Sequence, residues 1–145
     1  MGTRSSYCFI ETSTNDEGKV SHKKIALVYF QYDGYPEGHP LNTAKWLASG
    51  KVVNGIGSGD IGLIFNGAGC LTAQFIAKYK DGPGGVYLEP LSSRGNCWED
   101  YLYDIIIDYD TKSIIMIAYR NMKKKKKLFE GTPAEFVEYF DKKDD

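Results

Sequence analysis

The segment at residues 32–39, Tyr-Asp-Gly-Tyr-Pro-Glu-Gly-His, gathers three titratable side chains within seven residues. Asp33, Glu37 and His39 could act as general acids and bases in a hydrolytic reaction, or supply ligands to a metal ion. One loop rarely fills a coordination shell and no second cluster of ligands follows, so no metal site is predicted. The favoured interpretation is structural: Asp33 caps a turn, Glu37 points to solvent and His39 caps the following helix.

A second segment, Phe-Asn-Gly-Ala-Gly-Cys-Leu-Thr-Ala-Gln at residues 65–74, places two glycines directly before a predicted helix. The amides around Gly67 and Gly69 could hold an anion, because a helix N-terminus carries partial positive charge. The segment is neither a Walker loop nor a dinucleotide-binding fingerprint. Close packing of the helix on a sheet explains the glycines equally well. For Cys70, a buried and inert thiol is favoured over a nucleophile paired with His39.

Among the cations outside the lysine-rich stretches, Arg4 and Arg94 are candidates for reading phosphate or carboxylate with a planar guanidinium fork. Five consecutive lysines occupy residues 123–127. Such a run could attract nucleic acid or a membrane surface, but a solvated strand edge that resists aggregation is the favoured interpretation. No aromatic residue interrupts the run, so nucleic acid is not an expected partner.

The composition limits the classes of protein that need consideration. The chain has 145 residues, 42% hydrophobic and 26% charged, which predicts one domain over residues 1–145 with a frayed end at 141–145. The net charge of −1 excludes a generally basic nucleic-acid coat and a strongly acidic mimic of nucleic acid. Three scattered cysteines and the absence of a long apolar run predict a cytoplasmic protein without a disulfide framework, membrane partner or cofactor.

Hydrophobic periodicity predicts the elements that must position these residues. Strands are expected at 7–10 and 25–30 as a hairpin, then a helix from 40 or 41 to about 49 and a second helix to about 80. Strands follow at 86–88, 101–109 and 114–119, and Thr132-Pro133-Ala134-Glu135 predicts a third helix that begins with a capping box. The expected fold class is α+β, a mainly antiparallel sheet of about five or six strands with two or three helices packed on one face.

Several segments, taken in order, resemble a family of small uncharacterised proteins of bacteriophages, plasmids and bacterial genomes. They are Met-Gly-Thr-Arg-Ser at 1–5, Gln-Tyr-Asp-Gly-Tyr-Pro-Glu-Gly-His at 31–39, Asn-Gly at 54–55, the segment at 65–74 and Phe-Glu-Gly-Thr-Pro at 129–133. A longer polar turn at 12–18 and the lysine run depart from the family. The resemblance implies a mobile-element setting and one shared site, but no activity.

From these observations we expect a phage-type protein, located in the host cytoplasm, that captures a small anionic, nucleotide-like ligand and so acts as a counter-defence sponge. Backbone amides and an arginine would hold phosphate, a tyrosine would stack on a base, and polar side chains would read its edges. This requires the two glycine-rich loops to meet at one edge of the sheet. The expected ligand-binding residues are Arg4, Tyr32, Asp33, Tyr35, Asn66, Gly67, Gly69 and Gln74.

Two alternatives remain open from the sequence. The first is a hydrolase of a phosphoester or nucleotide-linked bond that uses Asp33, Glu37 and His39. The second is a protein-binding inhibitor of a host defence complex that uses exposed tyrosine and lysine side chains. A homodimer is a further expectation, since ligand sponges often bind at subunit interfaces.

Overall fold

The computed structural model describes residues 2–141, and within them a six-stranded sheet organises the chain. In chain order the elements are β1 (Ser5–Thr14), β2 (Val20–Phe30), α1 (His39–Ala48), β3 (Lys51–Val53), β4 (Ile64–Asn66), α2 (Gly67–Tyr79), β5 (Val86–Glu89), β6 (Tyr101–Asp108), β7 (Ser113–Arg120), β8 (Lys126–Gly131) and α3 (Pro133–Phe140). The strand order is β5-β2-β1-β6-β7-β8, with β1 and β6 parallel and the other pairs antiparallel. The predicted α+β class is confirmed.

Side chains that alternate along the strands build the core on one face of the sheet. Tyr7, Phe30 and Tyr103 point to the same side as the buried residues of all three helices. The helical members of this core are Ala44, Leu47, Ala68, Leu71, Phe75 and Phe136. The helices therefore cover a single face, as the sequence predicts.

The capping box predicted for the third helix is also present. The Thr132 hydroxyl accepts a hydrogen bond from the Glu135 amide at 3.2 Å, and the Glu135 carboxylate accepts one from the Thr132 amide at 2.8 Å. The helix begins at Pro133, whose missing N–H costs nothing at that position. Phe136 then enters the core.

The segment at 90–100 is anchored on the opposite face of the sheet by an ion pair. The Arg94 guanidinium donates to the Asp104 carboxylate at 2.7 Å and lies 5.6 Å from the ring centre of Tyr119. Burial raises the pKa of Asp104, and the positive charge of Arg94 opposes this shift. Because a buried carboxylate needs its partner, the pair fixes this segment to β6.

The loop at 32–38 is held against one end of the sheet, where Phe30, Ser5, Tyr101 and Arg120 lie side by side in register. We call this the Ser5 end. The Gly34 amide donates to the Thr3 carbonyl at 2.9 Å, and the Tyr103 hydroxyl donates to the Gly34 carbonyl at 2.6 Å. The loop therefore has a fixed path, set by the strands beneath it.

Substitution of Gly38 by alanine should test how tightly this loop is packed. A Cβ at Gly38 would collide with the carbonyl of Asp33, which also accepts a hydrogen bond from the His39 amide. We expect Gly38→Ala to lower the free energy of unfolding by about 1–3 kcal/mol in urea denaturation. Gly59→Ala is the matched control, because no atom lies within 4 Å of a Cβ there. Equal stability of the two variants would contradict this account of the loop.

Candidate functional site

A groove of about 450 Å³ opens at the Ser5 end, between the loop at 32–38 and the β7–β8 hairpin. This volume lies within the range of small-molecule sites, roughly 300–1,000 Å³. The groove combines two cations, an aromatic ring and apolar side chains with a single carboxylate. We call it the basic groove, and its lining consists of Pro36, Glu37, Tyr101, Arg120, Met122, Lys126 and Leu128.

Arg120 is held in place by an aromatic ring. Its guanidinium carbon lies 5.0 Å from the ring centre of Tyr101, and Nη1 donates to the Tyr101 hydroxyl at 3.2 Å. Within residues 2–141, neither Arg120 nor Lys126 makes an ion pair, whereas neighbouring Lys127 pairs with Glu130 at 2.7 Å. Two cations of the groove are therefore available to an anion.

Of the three candidate catalytic residues, only His39 is buried, with its ring packed in the core. It is 8% exposed and is the first residue of α1, whose N-cap is Gly38, so the expectation that His39 caps this helix is wrong. Its Nδ1 shares a 2.7 Å hydrogen bond with the buried Tyr7 hydroxyl. Its ring lies 4.1 Å from that of Phe30. His39 therefore fills volume in the core and provides a hydrogen-bond partner for the buried Tyr7 hydroxyl.

Asp33 and Glu37 remain at the surface, where they line a cavity of about 340 Å³ together with Asn42, Lys45 and the small exposed part of His39. Asp33 adopts φ +51°, and its carbonyl accepts a hydrogen bond from the His39 amide. The backbone of Asp33 therefore shapes the turn. Within residues 2–141, no group of three or more histidine, cysteine, aspartate or glutamate side chains could hold a metal ion.

The expected aromatic and arginine contributors lie at the Ser5 end but do not share one surface. Tyr35 is 41% exposed beside the basic groove, and Tyr32 packs its ring 6.0 Å from that of His39. Arg4 donates its amide to Asp100, and its side chain opposes the rise in the pKa of Tyr29 that burial causes. Tyr29 alternates with the core residues of β2, so Arg4 lies on the face opposite the helices.

The second glycine-rich loop lies at the other end of the sheet. The Ala68 amide donates to the Tyr109 hydroxyl at 2.9 Å, and the Tyr109 amide donates to Thr12 at the far end of β1. Tyr101 and Asp108 are seven residues apart along β6, which spans roughly 23 Å. The two loops therefore do not meet, and the expected single recess of Asp33, Tyr35, Asn66 and Gly67 does not form.

Residues around Gly67 are engaged within the chain itself. Gly67 has φ +84°, and a Cβ there would lie 3.1 Å from the Tyr109 hydroxyl, which accounts for the glycine without a ligand. Asn66 accepts the Gly55 amide at 2.7 Å, and Gln74 donates to the Ile64 carbonyl at 3.0 Å. Gly69 is exposed with open space around it. The helix packing interpretation fits this segment better than an anion site.

The thiols also differ from expectation. Cys70 is exposed and donates to the Gln74 side chain at 3.4 Å, so the expectation of a buried thiol is wrong. Cys97 donates to Glu99 at 3.0 Å, and burial together with that carboxylate raises the pKa of Cys97 to about 12. Cys97 is therefore a neutral thiol at physiological pH.

Sequence reasoning missed Tyr101, Arg120 and Met122. Tyr101 lies within the strand predicted at 101–109, and Arg120 directly follows the strand predicted at 114–119. The sequence did contain one signal for Arg120. An arginine at the last position of an apolar strand lies at the end of the sheet, where the connecting loops lie. Which loop would gather there depends on the parallel pairing of β1 with β6, which periodicity does not reveal.

Acid should destabilise the fold through His39. Burial lowers the pKa of His39 to about 4, partly offset by the Tyr32 backbone, and Nε2 has no hydrogen-bond partner within residues 2–141. The unfolded histidine, with a pKa near 6.5, takes up a proton more readily. The free energy of unfolding should thus be constant above about pH 7 and fall as pH decreases from about 6 to 4, by about 3 kcal/mol in total.

Urea titrations across this pH range measure the effect. His39→Asn retains an acceptor near the Tyr7 hydroxyl but cannot titrate, so its stability should change less between pH 7 and 5. His22→Asn removes the other histidine, which is exposed on β2 and should leave the wild-type slope intact. A His39→Asn slope equal to that of wild type would refute the assignment.

None of the α-helices within residues 2–141 combines the length and apolar character needed to cross a membrane. No protein-family model, curated protein or solved structure matches the chain. What the basic groove does is accordingly inferred from the chemistry of its side chains.

Proposed function

We propose that the protein captures a small anionic, nucleotide-like ligand in the basic groove. The observation that carries this proposal is the Arg120 guanidinium, stacked on Tyr101 and without a carboxylate partner among residues 2–141. A pre-oriented guanidinium fork suits phosphate, since little side-chain freedom is lost when it binds. Lys126 adds a second positive charge on the same wall.

The remaining lining suits a base or sugar. Pro36, Met122 and Leu128 provide apolar surface, and the neighbouring Tyr35 is exposed enough to stack on a ring. Glu37 offers a carboxylate that can accept a hydrogen bond from an exocyclic amine. Phosphate would therefore lie toward Arg120 and Lys126, and the base toward the loop at 32–38.

The biological setting of this proposal comes from the resemblance to phage, plasmid and bacterial proteins. In that setting, capture of a nucleotide signal of host defence would act against the defence without chemistry. A buried and neutral His39 supports capture over hydrolysis, because the candidate base cannot reach the groove. Homodimerisation and binding to a host protein remain predictions.

Ligand binding should depend on Arg120. A panel of mono-, di- and cyclic dinucleotides is screened by thermal shift, and a ligand that raises the midpoint is titrated by calorimetry. Arg120→Ala should weaken its affinity on the order of tenfold or more, since a hydrogen bond to a charged group is lost. Lys23→Ala removes an exposed cation that lies opposite Glu11 in the β1–β2 register, at the far end of the sheet, and should leave affinity unchanged.

Recovery of the ligand separates capture from turnover. After incubation and denaturation of the protein, chromatography should return the nucleotide intact. Altered product would favour the hydrolase alternative. A panel in which no nucleotide raises the thermal midpoint would overturn the proposed function.

A further inference from the structure

A strained, exposed tryptophan lies beside the basic groove. Trp98 is 80% exposed and has φ +69°, a conformation that side chains with a Cβ rarely adopt. Strained backbone persists only where the surrounding structure enforces it, and such strain concentrates at functional sites. A large ring kept in water at this cost is a ready stacking surface.

Hydrogen bonds hold the backbone on either side of Trp98 in place. The buried carboxylate of Glu99 accepts the amides of Gly95 and Cys97, both at 3.0 Å. The Asn121 side chain donates to the carbonyls of Gly95 and Glu99, at 3.2 and 2.8 Å. Both Glu99 oxygens are thereby occupied, so the carboxylate serves to rigidify the loop.

Trp98 also borders a second cavity, whose lining includes the residue that follows Arg120 in the chain. This cavity, of about 460 Å³, is lined by Gly95, Asn96, Trp98, Glu99 and Asn121. Asn121 stands between Arg120 and Met122, which both line the basic groove. Two cavities thus open on either side of three consecutive residues at the end of β7.

Positive charge is concentrated next to these cavities. Lys123, Lys124, Lys125 and Lys126 are exposed, and none of them makes an ion pair within residues 2–141. The Lys125 ammonium lies 5.7 Å from the ring centre of Tyr119. The lysine run has no aromatic residue within it, but it has aromatic neighbours on β6 and β7: Tyr101 lines the basic groove with Lys126, and the ring of Tyr119 lies beside Lys125.

We propose that the basic groove and the Trp98 cavity together bind a single-stranded oligonucleotide. This inference rests on the proposed function, because it extends the same groove from one nucleotide to several. Aromatic platforms beside a positively charged groove are the physical basis of single-strand binding: bases stack on the rings while cations follow the phosphates. A membrane surface fits less well, since Arg120 and Lys126 line a concave groove and Trp98 lies on a rigid loop without an apolar helix face.

The experiment uses fluorescein-labelled single-stranded DNA and RNA of roughly 12 nucleotides, the corresponding duplexes and an unlabelled mononucleotide. Fluorescence anisotropy should show tighter binding of a single strand than of duplex, and the unlabelled mononucleotide should displace the strand only weakly. The affinity for the single strand should fall steeply between roughly 50 and 200 mM salt. Comparison of the two labelled single strands identifies whether DNA or RNA binds more tightly.

Trp98→Gly is the decisive variant, because glycine suits the positive φ and the variant should fold as well as wild type. It should weaken oligonucleotide binding on the order of tenfold while leaving mononucleotide binding in the basic groove unchanged. Ile61→Ala is the matched control, since Ile61 is 85% exposed on a separate loop. Quenching of tryptophan fluorescence by the oligonucleotide should be lost in Trp98→Phe if Trp98, and not Trp46, is the reporter.

Each outcome supports or contradicts either the oligonucleotide inference or the proposed function. Mononucleotide binding without a gain for the oligonucleotide, or oligonucleotide binding unaffected by Trp98→Gly, overturns this inference and leaves the proposed function intact. Failure of both probes overturns both. Capture by phosphatidylserine-containing vesicles, with no binding of either strand, would assign the lysines and Trp98 to a membrane surface instead.

Discussion

The buried hydroxyl of Tyr7 is the constraint from which the Ser5 end follows. A hydroxyl in an apolar core must be paired, and the partner here is Nδ1 of His39. Because His39 begins α1, this bond ties the helix to β1 and leaves residues 32–38 to turn tightly over the strand ends. That turn brings Pro36 and Glu37 against Tyr101 and Arg120. The basic groove thus depends on a core interaction that takes no part in binding.

The two ends of the sheet have different purposes. At the far end, glycines and polar side chains satisfy one another: the Tyr109 hydroxyl accepts the Ala68 amide and donates to Glu11 at 2.8 Å. At the Ser5 end, cations and aromatic rings face solvent without carboxylate partners among residues 2–141. Among residues 2–141, exposed cations without an ion pair also occur at the far end, as at Lys23, so the distinguishing feature of the Ser5 end is a guanidinium held on an aromatic ring within a groove.

Sequence patterns predicted the parts of the fold that local rules determine. The capping box at Thr132 and the strand at 101–109 depend on neighbours in the chain, and both are present, the strand as β6 over Tyr101–Asp108. β3 and β4 were missed because three residues are too few to show alternation. The candidate site was harder: glycine marks positions of unusual backbone, but it does not say whether a ligand or a packed side chain requires that backbone. At Gly67 the requirement is the positive φ and the nearby Tyr109.

Net charge gives an incomplete description of the surface for a related reason. A value of −1 excludes a protein that is basic all over, but it averages over a surface on which charges are sorted. Some acidic residues form local ion pairs, as Glu130 does with Lys127 and Asp104 with Arg94. Within residues 2–141, Arg120 and the lysines at 123–126 make no ion pair. Linear spacing likewise hid an aromatic neighbour of that turn, since the β7–β8 hairpin brings the ring of Tyr119 to Lys125. The binding chemistry proposed for this chain therefore depends on its tertiary fold, and screening by salt is the measurement most sensitive to such segregated charge.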